Sequence, residues 1–287
     1  MIESDLPAAV AAAQRAPTEG ERFAVEAAGI PWSALAWGDP GARPLLLIHG
    51  VTSSAATWWR IGPALAATGR RVVAIDQAGH GMTGHWQGHH RFRDNAADIA
   101  AFICAAGMER EDLQVVGHSW GAVTAAALPA AGLRPATLVL VDPPVLPHEY
   151  ISQEAGEPTG QGNPDMPEAI AAIRAAYPEW GEGDVRAEAF ARTLLDEAAA
   201  RSVVLDNGDW DGGLADLADP AAAGIPTWLV RGDPAVGGYV ADQYVPAFAT
   251  LIGADNVITI EGGPHSPQRT HPIETTAALL RALGDVA

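Results

Sequence analysis

The sequence predicts an α/β protein: a mostly parallel central sheet of about eight strands, flanked by helices, with a helical cap inserted after the sixth strand. Three observations carry this. Between Pro44 and Val141, short apolar β-branched runs alternate with helix-forming stretches, the pattern of strands covered on both faces by crossover helices. The alternation stops from Val145 to about Ala222 and resumes at Pro226. And His49, Asp76, Ser119 and Asp142 each follow a strand candidate, which places them at the carboxyl ends of the strands, where such sheets build their sites.

In order, residues 1–20 read as a loosely held helical arm ending near Pro17. Arg22–Ala27 and Trp32–Trp37 form an antiparallel hairpin around Gly29-Ile30-Pro31, closed by the turn Gly38-Asp39-Pro40-Gly41. Pro44–Ile48 is a buried strand, followed by a helix from about Ala55 to Ala67. Strand Val72–Ile75, a helix from Asp94 to Ala106 and strand Leu113–Val116 follow. Ala136–Val141 ends at Asp142-Pro143-Pro144. Residues 145–222 hold short amphipathic helical stretches near 167–177 and 184–200 but no comparable strand, with proline and glycine crowding 156–167. This divides the chain into a core, 1–144 with 223–287, and a cap, 145–222, whose mobility is expected in the Gly/Pro-rich segment 156–164. The core resumes with Pro226–Val230, a helix near 241–252, strand Val257–Ile260 and a last helix from Pro272 to about Leu283.

With 287 residues the chain is long enough for one large α/β domain with an insertion. The net charge is −18, from 35 acids against 17 bases that are all arginine. That balance argues against nucleic acid or an anionic membrane as partner, since both demand clustered positive charge. No apolar run reaches a membrane span and the N-terminus is acidic, so a cytoplasmic protein is expected. The single cysteine, Cys104, lies in a helical pattern and is expected to be a buried, inert thiol.

The chemistry concentrates in Gly117-His118-Ser119-Trp120-Gly121. A short strand precedes it and a run of helix formers follows, which is the setting of a nucleophile elbow. In so sharp a turn, Cβ atoms flanking the serine would collide with neighbouring backbone, hence the two glycines. A serine hydroxyl needs an adjacent base. Of nine histidines, His265 is the best placed, in a Gly-rich loop after the last strand.

Four motifs stand in order: His49-Gly50, Asp76-Gln77-Ala78-Gly79-His80-Gly81, the elbow, and Gly263-Pro264-His265-Ser266. With them the chain resembles the α/β-hydrolase superfamily along nearly its full length, in the order Ser…Asp…His. The resemblance implies a triad of Ser119, His265 and an acid. Asp233, just past the seventh strand, is the expected acid. The chain departs from many relatives there, because Ala235 stands where they carry the acid. Asp142, after the sixth strand, is the alternative. The resemblance also implies an oxyanion hole from the backbone N–H groups of Val51 and Trp120. His49 and His118 are expected to shape the loops of the site. Trp120, Trp58 and Trp59 are candidates to line an apolar acyl or alcohol pocket, with ordinary helix-face packing the alternative for Trp58 and Trp59.

Two further stretches have blander readings. His85-Trp86-Gln87-Gly88-His89-His90 contains a His-x3-His spacing but reads as a loop. Asn207-Gly208-Asp209-Trp210-Asp211-Gly212 resembles half a calcium loop, but Ala218 stands where a bidentate glutamate is needed, so a polar turn is expected. No metal or cofactor is expected. The functional expectation is a serine hydrolase of small to medium carboxylic esters, acting as monomer or homodimer. Lactone, C–C or peptide hydrolysis on the same triad, and a slow-turnover receptor, are the alternatives.

Overall fold

The structure is a computed structural model that describes residues 6–85, 90–155 and 162–285. Its centre is an eight-stranded sheet of β1 (Glu21–Ala27), β2 (Ile30–Trp37), β3 (Arg43–Ile48), β4 (Arg70–Asp76), β5 (Gln114–His118), β6 (Thr137–Val141), β9 (Thr227–Gly232) and β10 (Val257–Ile260). The order across the sheet is β1-β2-β4-β3-β5-β6-β9-β10. β1 and β2 pair antiparallel, as do β2 and β4, and every later pairing is parallel. The β1–β2 turn is two residues long, Ala28-Gly29, both at positive φ (53° and 74°), the twist that closes a tight hairpin.

Period-two alternation splits the strands between two apolar layers. Leu46, Ile48, Val73, Ile75, Val115, Leu138 and Leu140 face one side, against α3 (Phe92–Ala105), α4 (Trp120–Ala127) and α10 (Val245–Ile252). Leu45, Leu47, Val72, Ala74, Val116, Val139 and Val141 face the other, against α1 (Ala8–Arg15), α2 (Ile61–Ala66) and α12 (Pro272–Ala282). Each fully buried Leu, Ile or Phe contributes ~2 kcal/mol of transfer free energy, the main force holding these layers.

The elements differ from the sequence reading in instructive places. Over its described residues the arm is packed, not loose: Leu6, Val10 and Ala11 are buried against α2 and α12, and Gln14 donates to Thr276 Oγ1. The helix expected at 55–67 is broken into a 3-10 turn, Ala55–Trp58, and α2, because Pro63 is tolerated only in the first turn of a helix. Cys104 is exposed, not buried. The inward stripe of α3 is Asn95, Ala96, Ile99, Phe102 and Ile103, and Cys104 falls just off it.

Between β6 and β9 the chain forms helices, as the broken pattern predicted. They are α5 (His148–Ala155), α6 (Met166–Ala176), α7 (Glu182–Thr193), α8 (Glu197–Leu205) and α9 (Leu214–Leu217). The stretch read as one helix at 184–200 is two, separated where Asp196 caps α8 by accepting from Ala198 and Ala199 N–H. Unforeseen is a two-residue ribbon, β7 (Val145–Leu146) with β8 (Trp210–Asp211), that ties the start of this segment to its end. Of the Gly/Pro-rich stretch 156–164, residues 156–161 lie outside the described residues. A short α11 (Pro267–Thr270) follows the last strand.

The helical segment rests on the carboxyl ends of the strands, and the elbow depends on how closely β3 and α4 approach beneath it. A Cβ on Gly121 would sit 2.5 Å from the His49 carbonyl oxygen and 2.6 Å from that of Ile48. Both are backbone atoms that cannot yield. Gly121→Ala is therefore expected to destabilise the protein by ~3 kcal/mol or more and to lower Tm by several degrees. A thermal melt of the variant superimposed on that of wild type would refute this close-packing account.

Candidate active site

β5 delivers Ser119 to the top of the sheet, and the chain turns at once into α4. Ser119 takes φ 56° and ψ −125°, a region costing ~1–3 kcal/mol for a residue with a side chain. The turn is fixed by its surroundings: Ser119 N–H donates to Val141 O (2.9 Å), and a Cβ on Gly117 would collide with the Gly121 carbonyl. Trp120 opens α4, so its N–H has no partner within the helix.

His265 arrives from the loop after β10. Its Nε2 lies 2.9 Å from Ser119 Oγ and its Nδ1 lies 2.7 Å from Asp142 Oδ2. The partners fix the tautomer: Nδ1–H donates to the carboxylate, which leaves the Nε2 lone pair to accept the serine proton. Asp142, at the end of β6, is completely buried and itself strained, with φ 41°. Its Oδ1 accepts from Gly232 N–H and its Oδ2 accepts also from Tyr239 N–H, each at 2.9 Å. The Tyr239 ring covers the imidazole with centroids 4.0 Å apart.

The expected acid, Asp233, does not reach His265. Its side chain accepts from Ala235 N–H (2.9 Å) and Gly262 N–H (3.0 Å), capping a 3-10 turn and tying two loops together. Those two donors hold its carboxyl below the ordinary carboxylate range. The physical reason lies in the backbone: two residues past β9 the chain turns at Pro234, and the carboxylate of Asp233 is spent locally. Asp142 is the acid that the structure brings to the imidazole.

The other strand-end residues have structural work. Asp76 is buried, accepts from Ala55 N–H (2.7 Å) and Met82 N–H (3.1 Å), and pairs with Arg22 at 2.8 Å. His49 donates through Nδ1 to Gly50 O and accepts Gln77 N–H at Nε2, while the Gln77 amide donates to His49 O. His118 Nε2 donates to the His265 carbonyl at 2.8 Å, so the residue before the serine holds the loop that carries the base. Burial, with the neighbouring His265 as a second influence, pushes His118 well below the usual imidazole range. Burial also lowers His49 to about 4, and burial together with His49 lowers His80 to about 3.

Above these residues lies a cavity of about 780 Å³. Ser119, His265, Val51, Thr52 and Tyr239 form its floor, and α5, α6 and α8 supply walls that include Ile151, Ile173 and Val204. Val51 thus faces the cavity. Trp120 does not: its ring is buried among Val123, Ile151, Val203 and Trp210. Trp58 is core, and Trp59 donates from Nε1 to Asp184 on α7, so neither tryptophan lines the cavity. In the calcium-like stretch, Asn207 accepts Phe92 N–H, Asp209 accepts His148 N–H, and Asp211 accepts Gly213 and Ala215 N–H: a polar turn. His85 lies against Asp196 (2.8 Å), and residues 86–89, including His89 of the His-x3-His spacing, lie outside the described residues.

A profile of the Alpha/beta hydrolase family matches residues 45–279, from β3 into α12. The chain belongs to that family. The hydrolase is 29% identical over 266 residues to Lipase LipV of Mycobacterium tuberculosis, covering 86% of this chain and 96% of the lipase. It is 32% identical over 139 residues to Epoxide hydrolase A of the same organism, covering 47% of this chain and 42% of that protein. Among solved structures, E-2-(acetamidomethylene)succinate hydrolase superposes with a TM-score of 0.77 at 22% identity, over 92% of this chain and 99% of that one, a likeness of fold. Among the described residues no helix is long and apolar enough to cross a membrane.

The buried histidines give the hydrolase a distinctive acid response. Their folded pKa values lie below the unfolded value near 6.5, so between those limits the unfolded chain binds more protons and stability rises with pH. Their contribution is complete above about pH 6.5 and is lost progressively as pH falls toward 4 and 3. For His49 alone, the loss amounts to ~3 kcal/mol. Thermal melts between pH 7.5 and 4 should show Tm falling from about pH 6 downward; a flat Tm from pH 7 to 5 would exclude neutral buried imidazoles.

Proposed function

We propose that this hydrolase cleaves carboxylic esters of small to medium size through an acyl-enzyme, with Ser119 as nucleophile, His265 as base and Asp142 as the acid that orients it. The observation that carries the reading is the unbroken relay Ser119 Oγ–His265 Nε2–His265 Nδ1–Asp142 Oδ2, at 2.9 and 2.7 Å. Ser119 Oγ attacks the ester carbonyl as its proton passes to Nε2. The backbone N–H groups of Trp120 and Val51 stabilise the oxyanion, each worth ~3 kcal/mol. The imidazolium then protonates the leaving alcohol, and water activated by the same nitrogen releases the acid.

The cavity supports the substrate class. Its size suits a ligand of modest length, and its walls are mostly alanine, isoleucine, valine, leucine and aromatic rings. The helical segment 145–222 serves in this reading as a cap that excludes water from the acyl-enzyme. At the elbow centre this chain carries Ser119, where the resemblance to the superfamily would put aspartate in an epoxide hydrolase.

Hydrolysis of a 4-nitrophenyl ester series from acetate to decanoate tests the reading. Ser119→Ala should abolish measurable turnover, and Asp142→Asn should lower kcat/KM by about 10⁴-fold, since the amide would hold the wrong imidazole tautomer. Asp233→Asn should stay within about threefold of wild type, with any loss showing in stability, as a broken cap costs ~1 kcal/mol. The reading fails if wild type hydrolyses none of the esters, and the choice of acid fails if Asp233→Asn is the more damaging variant.

A further inference from the structure

A chain of charged side chains beyond the serine is left unused by the proposed ester chemistry. Arg269 follows His265 by one turn on α11 and is almost wholly buried. Its Nη2 donates to Ser53 Oγ (3.1 Å), beside the loop of Val51, and to Glu188 Oε2 of α7 (2.7 Å). The guanidinium also lies over the Trp180 ring, 4.2 Å from its centroid. The other oxygen of Glu188 accepts from Arg192 Nε at 2.8 Å, and Arg192 is a wall residue of the cavity.

The charge count along this chain does not close. Two guanidinia share one carboxylate. Burial by itself would raise the Glu188 carboxyl, but Arg269 and Arg192 beside it prevail and hold it below the ordinary range. The next carboxylate, Asp184, accepts Trp59 Nε1 and lies in the field of both Arg269 and Arg60. Arg269 keeps Nε and Nη1 buried without a described acceptor. Among the described residues three arginines, Arg269, Arg192 and Arg60, thus face two carboxylates, and Arg192 is the one that meets the cavity. With Nε committed to Glu188, the planar fork is held in place and the Nη donors remain for another acceptor.

Its surroundings form the polar end of an otherwise apolar cavity. Asn163 spends its amide N–H groups on Thr193 O (3.1 Å) and Leu195 O (3.0 Å), fixing the end of α7. Among the described residues, Arg201 and Glu197 of α8 complete this end. The floor with Ser119 and His265 comes from the core, whereas this end comes from the helical segment.

We propose that the hydrolase selects esters whose acyl chain ends in a carboxylate, and that Arg192, oriented by Glu188 and Arg269, binds that carboxylate. The inference rests on the ester reading of the same site and names its substrate class: mono-esters of medium-length dicarboxylic acids. A guanidinium whose one carboxylate partner is shared gains more from an incoming anion than one already neutralised, and a partly water-excluded wall strengthens the pair. A neutral acyl chain of equal length would leave the fork unpaired.

The test compares kcat/KM for the mono-4-nitrophenyl esters of glutarate, adipate and suberate with that for 4-nitrophenyl pentanoate, hexanoate and octanoate. Wild type should favour the acid-ended member of at least one pair by about tenfold or more, a difference of about 1.4 kcal/mol. Arg192→Gln should collapse that ratio at least tenfold, and Arg192→Lys should retain part of it. An acid-to-neutral ratio that Arg192→Gln leaves unchanged, or a wild type that prefers the neutral chains at every length, overturns the proposal. Calorimetric titration of adipate into Ser119→Ala, with and without Arg192→Gln, separates the two readings if no ester turns over. Adipate binding that disappears with Arg192→Gln keeps the anion site and sinks the ester chemistry; no adipate binding then sinks both.

Discussion

Placing a carboxylate out of reach of water costs several kcal/mol unless N–H donors replace its hydration, and the site of this hydrolase is organised around meeting that demand at Asp142. Gly232 N–H comes from the end of β9, Tyr239 N–H from the loop beyond it, and the imidazole N–H from the loop after β10. Satisfying one side chain therefore draws three segments into a single arrangement. The strained backbone at Ser119 and Asp142 persists because the parallel pairing of β5 with β6, and of β6 with β9, holds both residues in adjacent strand ends.

A second set of contacts extends that order upward. His118 holds the carbonyl of His265, and Arg269, one turn later, reaches to Ser53 and to Glu188 of the helical segment. The loop that carries the imidazole is thus tied to the elbow on one side and to α7 on the other. A buried ion pair of this kind is weak evidence for stability, since desolvation offsets much of the attraction. It is better understood as fixing register, because a misplaced α7 would leave Arg269 and Glu188 both buried and unpaired. The same chain sets the guanidinium of Arg192 at the cavity wall.

Much of the fold was legible because its signals are local. Apolar runs such as Leu45–Ile48 and Leu138–Val141 show their burial on both faces in composition alone, and Gly117 and Gly121 mark a turn that admits no Cβ. Helix breaks within the segment 145–222 were less legible, because Asp196 reads equally as a helix-surface residue until its cap hydrogen bonds are seen. The ribbon of Val145–Leu146 with Trp210–Asp211 joins residues far apart in sequence, and two-residue strands leave no periodicity to read. Cys104 lies a single step around its helix from the buried stripe, a distinction that composition does not carry.

The sequence by itself determined that a serine stands on a strained turn between a buried strand and a helix, and that a histidine follows the last strand in a glycine-rich loop. Those features are written in adjacent residues, where glycine and apolar patterning act over a few bonds. Only the tertiary structure decided which aspartate meets the imidazole. Asp142 and Asp233 both follow strands and both precede proline, so no local signal separates them. The difference is where each carboxylate finds its donors: Asp233 at Ala235 and Gly262, close by in its own turn and the next, Asp142 across the sheet top. The same holds for Arg192, one arginine among 17 in the sequence, whose place at the cavity is set by Glu188 one helical turn before it and by Arg269, 77 positions further along the chain.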